Sequence, residues 1–277
     1  MATPENTEAI LRTCSYHRRT FYEPLAKNDL SKIPKSLSQS CDSTASNPGI
    51  LPTELMAMVA LNLDIVSLLQ ARQASRCFRA VATELLEYKR IMQHGLRGVD
   101  ALLRTGLGSE FSVKDLHAAL IRPDCELCGE FGGLLFLPCC TRCCYNCLKN
   151  APETAVLDRS QTIDRYPLEV LGNRGAHTYL IKKALESTKI RSLMTYKSKK
   201  RTDGFWDEYY YQFGVLASDL FKAYRKCGEL NEKATRKLEK GCFDLRSKSC
   251  IAYPWLNLET TTIEHGVPEA FPEDVNF

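Results

Sequence analysis

Seven of the chain's thirteen cysteines, Cys125, Cys128, Cys139, Cys140, Cys143, Cys144 and Cys147, fall within 23 consecutive positions. Thiolates are soft metal ligands, and C-x2-C pairs grip an ion from the two arms of a tight turn. This density therefore points to metal binding rather than a dispersed disulfide framework. Cys125-Glu-Leu-Cys128 supplies the first pair, followed by Gly129, which permits the turn. Two pairs compete for the second half of the site, Cys144/Cys147 and Cys140/Cys143. Either choice gives four thiolates in a closed tetrahedral set, which suits structural zinc and leaves no position open for a substrate or water. Metal binding in such a unit is worth on the order of 10 kcal/mol of folding free energy.

The stretch FGGLLFLP between the pairs reads as a short β-hairpin, with Gly132–Gly133 at or near its turn. The following LPCCTRCCYNCLKN resembles the chain return of treble-clef and RING-type fingers, in which the second ligand pair opens a helix. That resemblance favours Cys144 and Cys147 over the alternative Cys140 and Cys143. A full RING finger needs a second site, usually with a histidine, and none lies between His117 and His177.

The elements before the cluster are helical. From about residue 51 to 122 the pattern is helix-like, cut by Asp64, Ser75, Gly95, Gly98 and the Gly106–Gly108 pair, and closed by Pro123. Pro52 suits a helix's first turn and Glu54 complements its dipole. Leu55, Val59 and Leu63 form one apolar stripe, widened by Met58 and Leu61. Asp64 and Ser75 are placed to cap a second and a third short helix. Three short helices in about 40 residues bury little apolar area, so part of this surface is expected to pack on another chain or on the helices that follow.

The opening LPTEL, the later Val59 and Leu63, the pair Leu68–Leu69 and the stretch RCFRAV resemble the F-box, the helical motif that binds the Skp-family adaptor. Phe78 stands where F-boxes usually have Trp. Phe occurs there in a fungal group of F-box proteins whose F-box leads through a helical connector into a cysteine-rich segment, and this chain resembles that group over roughly residues 50–150. The resemblance implies adaptor contacts from Leu51, Pro52, Leu55, Val59, Leu63, Leu68 and Leu69, while Phe78 and Val81 hold the helices together. It further implies a substrate-recognition subunit of a Skp/cullin-type ubiquitin ligase that positions an unknown protein target.

No nucleophile elbow, phosphate loop, metalloprotease helix or dinucleotide fingerprint is present, and Cys14 and His17 have no orienting group, so no enzyme is expected. The basic segment 182–201, with Glu186 as its one acidic residue, keeps open an alternative: a zinc-containing nucleic-acid-binding regulator. Another alternative is an F-box protein acting with the adaptor outside ubiquitin ligation. A net charge of +4 excludes neither. The lack of a long apolar run, together with the cysteine usage, implies an intracellular protein, cytoplasmic or nuclear, away from the membrane.

The expected fold is mostly α: a flexible arm over 1–48, the F-box over 49–90, a helical connector over 91–124, a small zinc-stabilised, treble-clef-like β-hairpin segment over 125–150, a helical C-terminal region over 151–257 and an acidic, extended tail over 258–277. Helix-like patterns cover 179–192 and 205–240. The aromatic run FWDEYYYQF is read as packing, and Cys227, Cys242, Cys250 and His265 as structural residues.

Overall fold

The computed structural model describes residues 51–159, 191–199, 208–225 and 243–264. The N-terminal arm, Cys14, His17, Cys227, Cys242, His265 and most of the basic segment's side chains lie outside them. Helix predominates, accompanied by small antiparallel sheets. Among the described residues no helix is long and apolar enough to cross a membrane.

The first three helices are α1 (Thr53–Asn62), α2 (Ile65–Ala74) and α3 (Arg76–Glu84), and they begin where the sequence expects. Pro52 sits at the N-cap of α1 with φ −57°. Asp64 accepts from the Ser67 backbone N–H at 2.9 Å, and Ser75 from that of Phe78 at 3.2 Å, each satisfying a donor the helix leaves unpaired. Within this unit the buried Arg72 donates to the Thr83 hydroxyl and the Arg79 carbonyl, and it stacks on the Tyr88 ring at 4.5 Å.

The expected breaks at Gly95 and Gly98 do not occur. One continuous helical rod runs through α4 (Leu86–Arg90), a π turn (Ile91–Gly95) and α5 (Leu96–Arg104), and ends at Gly106 with φ +78°. The two glycines serve packing. A Cβ on Gly98 would meet the Tyr253 ring at 2.8 Å and Leu116 at 2.9 Å, and one on Gly95 would meet the Tyr253 hydroxyl. Helix α6 (Val113–Ile121) starts with a capping box between Ser112 and Asp115. It packs against α1 and α4, while α5 packs against α2, so the first three helices share one core with the connector. Ala60, Ile65, Leu68, Ile91, Leu102, Leu116 and Leu120 fill that core.

After the connector, β1 (Leu134–Phe136) and β2 (Thr141–Cys143) form the expected hairpin, in the register Leu134↔Cys143 to Phe136↔Thr141. Its turn is Leu137–Cys140, with Cys140 at φ +53°, and not Gly132–Gly133. Gly132 lies before the hairpin, where the chain passes so close to Cys125 that a Cβ would stand 3.0 Å from its backbone nitrogen. Helix α7 (Tyr145–Asn150) follows at once.

The C-terminal region departs furthest from the sequence expectation. Where a helical region is expected it contributes β3 (Val156–Asp158), β4 (Ser192–Lys199) and β5 (Glu208–Leu216), a three-stranded antiparallel sheet in the order β3-β5-β4. Helices α8 (Ala217–Arg225) and α9 (Phe243–Lys248) lead to β6 (Cys250–Ala252). Strand β6 returns to pair antiparallel with β1, giving a second sheet in the order β2-β1-β6. The start of the tail is not simply extended, because β7 (Trp255–Leu256) and β8 (Ile263–Glu264) pair antiparallel. Residues 265–277 lie outside the described residues.

Candidate metal centre and docking face

Cys125 and Cys128 flank a tight turn whose Gly129 takes φ +80°. Burial pushes the Cys125 thiol up, but backbone hydrogen bonds from Cys144, Leu127 and Cys128 outweigh it and bring it below the usual thiol range. Amides aimed at a sulfur in this way stabilise the thiolate that a metal needs. On the other side, Cys144 is the N-cap of α7, and its sulfur accepts from the Cys147 backbone N–H at 3.4 Å.

The structure brings Cys125, Cys128, Cys144 and Cys147 together, with all four sulfurs within 4.8 Å of one another. Sulfurs bound tetrahedrally to one ion at zinc–sulfur distance lie about 3.8 Å apart. The Cys128 and Cys144 sulfurs are already 3.6 Å apart. The donor set therefore fits a metal ion. Burial raises the Cys144 and Cys147 thiols above their ordinary range, and for both a hydrogen bond to the Cys128 sulfur adds to it by favouring the protonated form.

The alternative pair does not join this group. Cys140 and Cys143 are buried in the hairpin core, where desolvation drives both thiols up. Cys250 is likewise buried on β6, consistent with a structural role. Cys139 is half-buried, and its sulfur lies 3.3 Å from the Arg191 guanidinium.

Two arginines that no local motif marks tie the segments around the centre together. Arg142, fully buried on β2, donates from Nε to the Ala119 carbonyl at 2.6 Å and from Nη1 to Gly132 at 2.7 Å and Tyr253 at 3.1 Å; its Nη2 donates to Pro254. Burial pulls it down to about 10, so it remains charged at neutral pH. From α9, Arg246 donates to the carbonyls of Leu148, Lys149 and Ala151 at the C-terminal end of α7. The signal for Arg142 was a lone cation in the otherwise uncharged run LPCCTRCCY.

The residues expected to contact an adaptor divide into two groups. Leu51, Leu55 and Val59 are each about 45% exposed and Pro52 is also exposed, and Met58, at 61%, belongs with them. Met56 and Ala60 on the opposite side of α1 are buried. Leu63 and Leu69 are half-buried against the core. Leu68 is 1% exposed. It is a core residue here, because the Asp64 cap sets α2 so that Leu68 faces inward, and it cannot reach a partner in this fold. Phe78 and Val81 are half-buried, as fits residues that hold the helices together, and Phe78 packs on the core.

Of the basic segment, Arg191 is described with its side chain, and it is committed to Asp219 at 2.8 Å and to the Pro138 carbonyl at 3.1 Å. No family model matches the chain, and no curated protein or solved structure is significantly similar to it.

Proposed function

We propose that the chain is an F-box-type docking subunit, which binds a Skp-family adaptor through the outer face of α1 and neighbouring residues and presents a protein target to a cullin-containing ubiquitin ligase. The observation that carries this reading is the solvent-facing apolar stripe Leu55, Met58 and Val59, extended by Leu51 just before the helix, on a helix whose other face is already buried. A stripe used only for the protein's own core would be covered. Of the contacts implied by the F-box resemblance, Leu51, Pro52, Leu55 and Val59 keep that role directly, and Leu63 and Leu69 contribute at its margin.

Within the same reading the four-cysteine centre holds zinc. The order of tight turn, hairpin and helix supports a treble-clef-like unit, and four thiolates with no open position give the ion a structural role. The protein contributes positioning rather than bond chemistry.

Replacing Leu55 and Val59 together with Asp places two charges on the exposed stripe without touching the core. Adaptor co-purification should be lost while zinc content and thermal stability are retained. Wild-type-like adaptor binding by this variant would exclude the face. Cullin accompanying the adaptor in the same material supports ubiquitin ligation; adaptor without cullin supports a role outside it.

A further inference from the structure

We propose that Cys128 is an oxidation site through which a hydroperoxide opens the metal centre. The inference rests on the zinc reading of the four-cysteine group and is independent of the docking reading. Among the described residues Cys128 is the exposed cysteine; its partners Cys125 and Cys144 are buried and Cys147 is half-buried. The centre thus presents one sulfur to solvent and shields the others.

That exposed sulfur has its resolving partner in place, since the Cys144 sulfur is 3.6 Å away. The Cys128 thiolate attacks the terminal hydroperoxide oxygen; the O–O bond breaks, that oxygen joins sulfur as a sulfenic acid, and the other leaves as hydroxide from hydrogen peroxide or as alkoxide from an organic hydroperoxide. The Cys144 thiolate then attacks the Cys128 sulfur, an S–S bond forms and hydroxide departs. The two sulfurs together give up two electrons and the peroxide takes them. Closing the bond requires the sulfurs to approach to about 2.0 Å, a short shift beside the Gly129 turn.

The ion then keeps two of its four ligands and is released. Because Cys144 also caps α7, the same bond pulls on the helix that Arg246 fastens to the C-terminal segment. The remaining cluster thiols are poorly placed to compete. Cys140 and Cys143 are buried, and Cys139 is half-buried beneath Arg191.

The test uses the full chain loaded with zinc, titrated with hydrogen peroxide while a chromogenic indicator follows free zinc and mass spectrometry of non-reduced digests maps the linkage. Zinc release accompanied by a Cys128–Cys144 crosslink, reversed by a dithiol reductant and zinc, is the expected result. Cys139→Ser, which removes a half-buried thiol outside the centre, should leave the release rate unchanged. Zinc retained under peroxide, or a linkage mapped to other cysteines, overturns the oxidation site and leaves the zinc reading standing. A chain that takes up no zinc at all overturns both.

Discussion

Arg142 occupies a position where one side chain decides whether three segments stay together. Its guanidinium links the end of α6, the residues before β1 and the approach to β7, all in the interior. Arg142→Met should cost about 3–5 kcal/mol in a denaturant titration, because the carbonyls it serves are left buried without donors. A loss near zero would mean that they find other partners. Asp219 gives a pH signature. Burial alone would raise its carboxyl, but hydrogen bonds and charge from Arg191 outweigh that and hold it below its ordinary value of 3.8. Folding therefore favours the charged form. Its contribution is complete above that ordinary value and is lost as pH falls through the lowered folded value. Asp219→Asn should reduce stability at neutral pH and flatten the acid limb of the stability curve; an unchanged limb would contradict this. Neither role was legible in the sequence, since each depends on partners tens of residues away. The first cysteine pair is legible because C-x2-C spacing is itself local geometry, whereas spacing alone leaves Cys140/Cys143 and Cys144/Cys147 competing for the second, which the fold decides for Cys144 and Cys147.

At the scale of elements, local signals were readable and long-range ones were not. Pro52, Asp64 and Ser75 mark three helix starts because caps act on donors within the next three residues. Gly95 and Gly98 look like breaks until Tyr253 packs against them from the far end of the chain. This reverses the usual sign of a substitution. Gly98→Ala in an ordinary helix would stabilise by about 1 kcal/mol. Here it should destabilise by about 1–3 kcal/mol, since neither the Tyr253 ring nor Leu116 can withdraw without repacking. Thermal unfolding measures the difference, and a raised melting temperature would remove the packing account. The hairpin turn was misplaced for a related reason: glycine is the usual occupant of left-handed backbone, yet Cys140 adopts it here. Strand β5 lies within the helix-like pattern of 205–240, yet EYYYQFGVL is rich in aromatic residues that favour sheets.

Across the whole molecule, the cysteine segment sits between the helical core and the returning C-terminal strand. Strand β6 completes the sheet begun by β1, and Arg246 fastens α9 to the helix that carries Cys144 and Cys147. Removing the ion should therefore loosen more than residues 125–150. A strong chelator is expected to lower the melting temperature and expose amides of β1 and β6 to hydrogen exchange, and acidification should do the same as protons compete for the thiolates. Protection unchanged after complete metal removal would make the centre incidental to the fold. The sequence anticipated the order of helices, hairpin and ligands but not this closure, which joins residues more than a hundred positions apart. Helices α3 and α6 pack against α1, whose Met56 and Ala60 are buried while Leu55, Met58 and Val59 stay open. Whether that open face docks an adaptor is measured by calorimetric titration of the purified chain with a purified Skp-family adaptor. Saturable one-to-one binding, abolished in the Leu55→Asp, Val59→Asp double variant, is the predicted result; a folded, zinc-loaded wild-type chain that binds no adaptor would contradict it.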